Sequence, residues 1–218
     1  MRLIRTAVAA LALVTLAAVG TACGEEDTAG PKAGSDHLPD KLAGVELDPA
    51  PDVTDATLPR ADDGSAFSFV PEAGDVQLVY FGYTACPDIC PTTLSDLRNA
   101  LKSIGKTAAG HVRVAMATID PRRDSSVVLS GYLQSFFGDG VALRTDDDAQ
   151  LQAAATAFGA TYEAKYPNQG EPQVSHSTYL YAVDHTGHVV VAWPFGTTAA
   201  DMAHDLELLL DREKEGAQ

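Results

Sequence analysis

The stretch YFGYTACPDICPTTLSDL, residues 80–97, decides how the chain folds. Val76 to Tyr83 is β-branched and aromatic, as a strand buried on both faces requires. From Thr92 to Ile104, Leu94, Leu97, Leu101 and Ile104 recur at helical spacing, and Gly105 supplies a stop signal. Between strand and helix stand Cys86 and Cys90, separated by three residues, which a helical or near-helical turn places on one side. The carboxyl end of a strand, where it runs into a helix, is where α/β sheets build sites. Thiolate is the reactive and metal-binding form of cysteine, and a helix N-terminus favours that anion. Pro87 and Pro91 stiffen the loop. The missing amide of Pro91 predicts an irregular turn at the cysteines, with regular helix from about Pro91. The pair therefore either binds a soft metal ion or cycles between dithiol and disulfide.

Strands and helices alternate outward from this loop. ATLPRADDGSAFSF, residues 56–69, reads as a short hairpin turning at Asp63-Gly64. Val112 to Ile119 is a second strand, and Ser125 to Phe137 a helix with Val128, Tyr132 and Phe136 along one face. Val141 opens a short strand, after which Thr145 caps an acid-started helix that stops at Gly159. Thr178 to Val183 and His188 to Trp193 form a hairpin around Asp184-His185-Thr186-Gly187, and a last helix runs from Thr198 to Arg212. This order predicts an α/β domain whose mixed central sheet combines parallel crossover units with a late antiparallel hairpin. It resembles a thioredoxin-like fold flanked by helices, with an N-terminal β-hairpin.

The first 22 residues have the makings of an export signal: Arg2 and Arg5, an apolar run from Thr6 to Val19, then small residues. Gly20-Thr21-Ala22-Cys23 resembles a bacterial lipobox, with Gly20 where leucine is usual. The expected organisation is a lipoprotein signal peptide over 1–22, a lipidated flexible tether over 23–55, and the folded domain over 56–218. Cys23 is the expected lipidation site, since a lone exported thiol invites mispairing. The tether is rich in Gly, Pro, Asp and Ala. Such a protein works at the extracytoplasmic face of the membrane, held by its lipid.

Fifteen basic against 30 acidic residues give a formal charge of −15, which disfavours nucleic acid and anionic headgroups as partners. Three cysteines, one at the signal and two in the loop, make neither a disulfide framework nor a zinc ribbon. A structural disulfide across so short a loop would gain little chain entropy. Two thiolates can hold Cu(I), and an imidazole completes a three-coordinate site. Of six histidines, His176 in QVSHSTYLY, directly before a predicted strand, is placed to approach the cysteine loop. His185 and His188 flank a hairpin turn facing solvent, and His204 serves the surface of the last helix. Asp120 and Asp124 either fix the loop beside the site or serve as turn and cap residues. Zinc has Cys₂His precedents, but no motif places a general base.

YFGYTACPDICP, TIDPRRDS at 118–125, and a histidine 86 positions after the second cysteine, followed by VDHTG, together resemble the Sco/SenC family of thioredoxin-like copper proteins. The resemblance covers roughly residues 56–210. It implies that Cys86, Cys90 and His176 bind copper, as Cu(I) and also Cu(II), with a Cys86–Cys90 disulfide as the oxidised form. It further implies delivery to the CuA centre of the copper-binding subunit of cytochrome c oxidase. A second extracytoplasmic copper chaperone or a thiol reductase would be a further partner. Ser175 stands where family members often carry an aspartate before the histidine. A metallochaperone turns over no substrate. The alternative is an enzyme, a thiol-disulfide oxidoreductase that reduces the oxidase subunit's copper-ligand cysteines through the redox pair Cys86 and Cys90. Tyr83-Thr84-Ala85 before Cys86 departs from the thioredoxin W-C-x-x-C. Tyr83 also stands where a peroxiredoxin would need threonine.

Overall fold

A computed structural model describes residues 40–168 and 171–216. The expected signal segment, Cys23, His37 and most of the expected tether lie outside the described residues. Among the described residues, no helix is long and apolar enough to cross a membrane.

In chain order the elements are β1 (Val45–Glu46), β2 (Thr57–Pro59), β3 (Ala66–Ser68), β4 (Val76–Gly82), α1 (Ile89–Ser103), α2 (Gly105–Ala109), β5 (Val112–Thr118) and α3 (Ser126–Gln134). They continue with β6 (Val141–Leu143), α4 (Asp148–Ala157), β7 (Tyr162–Lys165), β8 (Gln173–His176), β9 (Tyr179–Val183), β10 (Val189–Pro194) and α5 (Ala199–Gly216). Six strands form one sheet in the order β1-β10-β9-β4-β5-β6. β4, β5 and β6 run parallel, while β9, β10 and β1 add antiparallel. This is the mixed α/β sheet expected from the alternation of elements, and β2–β3 is the expected N-terminal hairpin.

β4 is buried along its whole length. Its side chains alternate between two apolar layers, as the two-residue period of a strand requires. Val76, Leu78 and Tyr80 pack with Leu94 and Leu97 of α1, Leu129 and Leu133 of α3, and Leu206 of α5. Val79 and Phe81 pack on the opposite face with Leu151 of α4, Phe158, and Leu58 and Phe69 beside the hairpin.

Three local expectations are corrected. α1 begins at Ile89 rather than near Pro91, because Pro91 is then only the third helical residue, where the amide it lacks would be unpaired anyway. α4 is capped by Asp147, whose carboxylate accepts from Ala149 N and Gln150 N, while Thr145 accepts from Asp147 N. Packed chain also begins well before Ala56. Leu42 and Val53 are buried, β1 pairs with β10, and the fully buried Asp205 carboxylate accepts from Ala43 N, Gly44 N and Trp193 Nε1. A Cβ on Gly44 would come within 2.7 Å of the Trp193 ring, so only glycine lets the strap lie this close.

Candidate metal centre

Parallel pairing of β4 with β5, and antiparallel pairing of β4 with β9, bring three chain segments to one end of the sheet. β4 leads into the cysteine loop, β5 into Ile119–Asp124, and β9 is entered from β8, which ends at His176. Cys86 lies in the loop and Cys90 is the second residue of α1. Both are buried, and both are free thiols. Cys90 N donates to Cys86 Sγ over 3.3 Å, which holds the first sulfur over the start of the helix.

His176 comes in from across the fold. Its Nε2 is 3.8 Å from Cys90 Sγ, and the donor atoms of Cys86, Cys90 and His176 all lie within 4.8 Å of one another. Its Nδ1 is 2.8 Å from the Ser177 carbonyl. A carbonyl can only accept, so Nδ1 carries the proton and Nε2 turns its lone pair toward the sulfurs. This backbone oxygen does the orienting that an aspartate at Ser175 would otherwise offer. The imidazole stands edge-on to the Tyr80 and Tyr83 rings, with centroids 6.0 Å away in each case. Its burial lowers the histidine pKa, keeping the ring neutral and able to donate its lone pair.

Burial acts on the Cys90 thiol in the opposite sense from the helix N-terminus. It pushes Cys90 up to about 12, with the Tyr80 hydroxyl and the Tyr83 backbone opposing that shift. The expected lowering of the thiol pKa is therefore corrected for Cys90, because desolvation outweighs the dipole. Such a thiol keeps its proton at neutral pH until a metal ion displaces it.

The segment Ile119–Asp124 touches the cysteine loop and the end of β7, the strand paired with the one that carries His176. Asp124, fully buried, accepts from Thr84 N at 3.0 Å, Thr84 Oγ1 at 2.5 Å and Thr118 Oγ1 at 2.6 Å, tying the cysteine loop to the end of β5. Asp120, also fully buried, pairs with Arg123 and accepts from the Tyr166 hydroxyl at the end of β7. β7 pairs with β8, with Tyr162 opposite His176. Both aspartates thus fix the surroundings of the site. The other histidines among the described residues lie elsewhere: His111 pairs with Asp75, His185 with Glu213, His188 with Thr186, and His204 Nε2 is 3.2 Å from the Lys41 carbonyl. The pairing of His185 with the buried Glu213 corrects its expected place in solvent. Sequence reasoning missed the Ser177 carbonyl and Tyr80. A carbonyl leaves no trace in residue identity, and Tyr80 reads as strand core.

Two soft sulfurs and one neutral imidazole form a donor set for a soft cation such as Cu(I). The model for the family SCO1/SenC matches residues 60–211. A "SCO2-like protein" of Rickettsia felis is 32% identical over 127 residues, covering 57% of this chain and 61% of that protein. The match thus spans about three-fifths of that relative. The solution structure of apo Sco1 from Thermus thermophilus superimposes with a TM-score of 0.64 at 26% identity, covering 81% of this chain and 97% of that one. The copper-bound structure of ScoI from Bradyrhizobium japonicum gives 0.60 at 27% identity, covering 71% and 96% respectively.

Proposed function

This chain belongs to the SCO1/SenC family, and from that premise we propose that it is a copper metallochaperone that carries copper on Cys86, Cys90 and His176. The single observation that carries the reading is the convergence of two free thiols and one imidazole within 4.8 Å. Copper is cargo in this account. Uptake of Cu(I) displaces the thiol protons, and the Ser177 carbonyl holds the His176 lone pair toward the ion. When an external oxidant takes two electrons from the pair, a Cys86–Cys90 disulfide forms, both sulfur ligands are lost and the ion is released. The recipient is the CuA centre of the copper-binding subunit of cytochrome c oxidase. The protein works on the extracytoplasmic face of the membrane, lipid-anchored through Cys23. The N-terminal sequence supports that location, and the family supports the recipient.

Anaerobic titration of the reduced protein with Cu(I) against a competing chelator tests the reading. One tight equivalent, sharply weakened by His176→Ala, is the expected result. The free thiol pair also favours a second reading, a thiol-disulfide oxidoreductase acting on the oxidase subunit. Absence of tight Cu(I) binding, together with rapid disulfide reduction that is indifferent to His176→Ala, would replace the first reading by the second.

A further inference from the structure

Tyr80 is fully buried, and among the described residues its hydroxyl has no partner at full hydrogen-bonding geometry. A buried hydroxyl without a partner is destabilising, so its place at the centre of β4 calls for a reason. The hydroxyl faces Cys90 and Thr93. Thr93 Oγ1 is already committed as a donor to the Ile89 carbonyl at 2.9 Å. The Tyr80 ring also stands edge-on to His176, so one side chain borders two of the three donors.

Gly82 shows how closely the sulfur and the ring are set. The point where its Cβ would sit is 2.6 Å from Tyr80 Cε1 and 3.2 Å from Cys90 Sγ. Leaving that space open lets the Cys90 sulfur settle beside the phenol. A neutral thiol is a weak acceptor, whereas a sulfur that has surrendered its proton to a metal is a strong one, and hydrogen bonds to charged acceptors are about twice as strong.

We propose that Tyr80 is a positioning residue of the metal centre, whose hydroxyl, idle in the free dithiol, donates a hydrogen bond to Cys90 Sγ when that sulfur becomes a metal ligand. The inference rests on the copper reading above. The hydroxyl is a penalty on the empty protein and a contact in the loaded one, so the site favours metal over protons.

Tyr80→Phe in the full chain separates this role from a structural one, because the two observables move in opposite directions. The metal-free variant should unfold at the same or a higher temperature, since it loses an unpaired hydroxyl. Its Cu(I) affinity should fall roughly tenfold or more, the size expected for one charge-assisted hydrogen bond. In the Cu(II) form the sulfur-to-copper charge-transfer band should move to lower energy, because the thiolate loses a donor that stabilised its electrons. A metal-free variant that unfolds earlier would show that the hydroxyl has a structural bond, and would overturn the proposal. Unchanged affinity with an unmoved band would also overturn it, by removing the hydroxyl from the site. A wild-type chain that takes up no Cu(I) overturns both this inference and the copper reading.

Discussion

Cys90 Sγ and His176 Nε2 stand 3.8 Å apart although 86 residues separate them in the chain. The imidazole reaches the sulfur with its proton already placed on the far nitrogen, against Ser177 O. The metal therefore competes for only one kind of proton, that of the thiols.

That competition gives copper binding a pH slope. Burial pushes Cys90 up to about 12 from an ordinary 9.0, so this proton is still bound throughout the neutral range. Each pH unit upward then makes its displacement about tenfold easier, so the apparent Cu(I) affinity should rise by at least about one decade per unit between about pH 6 and 8. Chelator competition at three pH values, with the chelator's own proton binding taken into account, measures the slope. A flat profile would contradict it.

The metal-free domain should lose stability in acid for a related reason. His176 titrates below its ordinary 6.5 because of burial, so near that pH the unfolded chain binds a proton that the folded chain does not. Stability from this group is present above about pH 6.5 and is lost as pH falls through the lower folded value. Urea midpoints at pH 7.5 and 5.5 should differ more in wild type than in His176→Ala.

Asp124→Ala removes the acceptor shared by Thr84 N, Thr84 Oγ1 and Thr118 Oγ1. Leaving those donors unpaired beside a cavity should be destabilising by about 2–4 kcal/mol, judged from the penalty per buried unsatisfied group. Cu(I) affinity should fall as well, because Thr84 positions the cysteine loop. Equilibrium unfolding and chelator competition on the same sample check both effects.

Gly82→Ala should damage the site from underneath. Its methyl would stand 2.6 Å from the Tyr80 ring and 3.2 Å from Cys90 Sγ, in fully packed surroundings. Overpacking of this kind is destabilising by roughly 1–3 kcal/mol, and here it presses on a sulfur of the three-donor cluster. The expected outcome is weakened Cu(I) binding with the fold retained, read from near-ultraviolet circular dichroism and competition titration.

Asp205→Ala should release the strap over Trp193, the chain's lone tryptophan, which is fully buried. Three donors lose their acceptor. Emission from Trp193 should shift to the red at lower urea concentrations than in wild type. A fragment starting at Ala56, which lacks the strap altogether, should show the shift without denaturant.

The central fold was legible because its signals are local. A β4 apolar but for Gln77, leucines at helical spacing in α1, and Asp-Gly and Thr-Gly turns each declare themselves within about a dozen residues. β7 and β8 declared nothing, since YEAK and QVSH are polar and half exposed. Yet that hairpin delivers His176. β1 is two exposed residues long, and only its pairing with β10 makes it a strand. The Asp205 strap joins residues more than 160 positions apart, and no periodicity records such a bond. At the site, the two cysteines and the histidine could be named from residue types and family likeness. The balance of forces on Cys90 could not, because it depends on how deeply the sulfur is buried.

Pairing of β9 beside β4 sets a condition on when cargo can be taken aboard. In an unfolded chain the two thiols travel together, while the imidazole is an 86-residue loop away, and closing such a loop is entropically unfavourable. The third donor arrives only once a strand from the last quarter of the chain has docked against one from the first half. Loading of the complete site is therefore a report that folding has finished. A chain still short of that docking could offer copper no more than a two-sulfur perch.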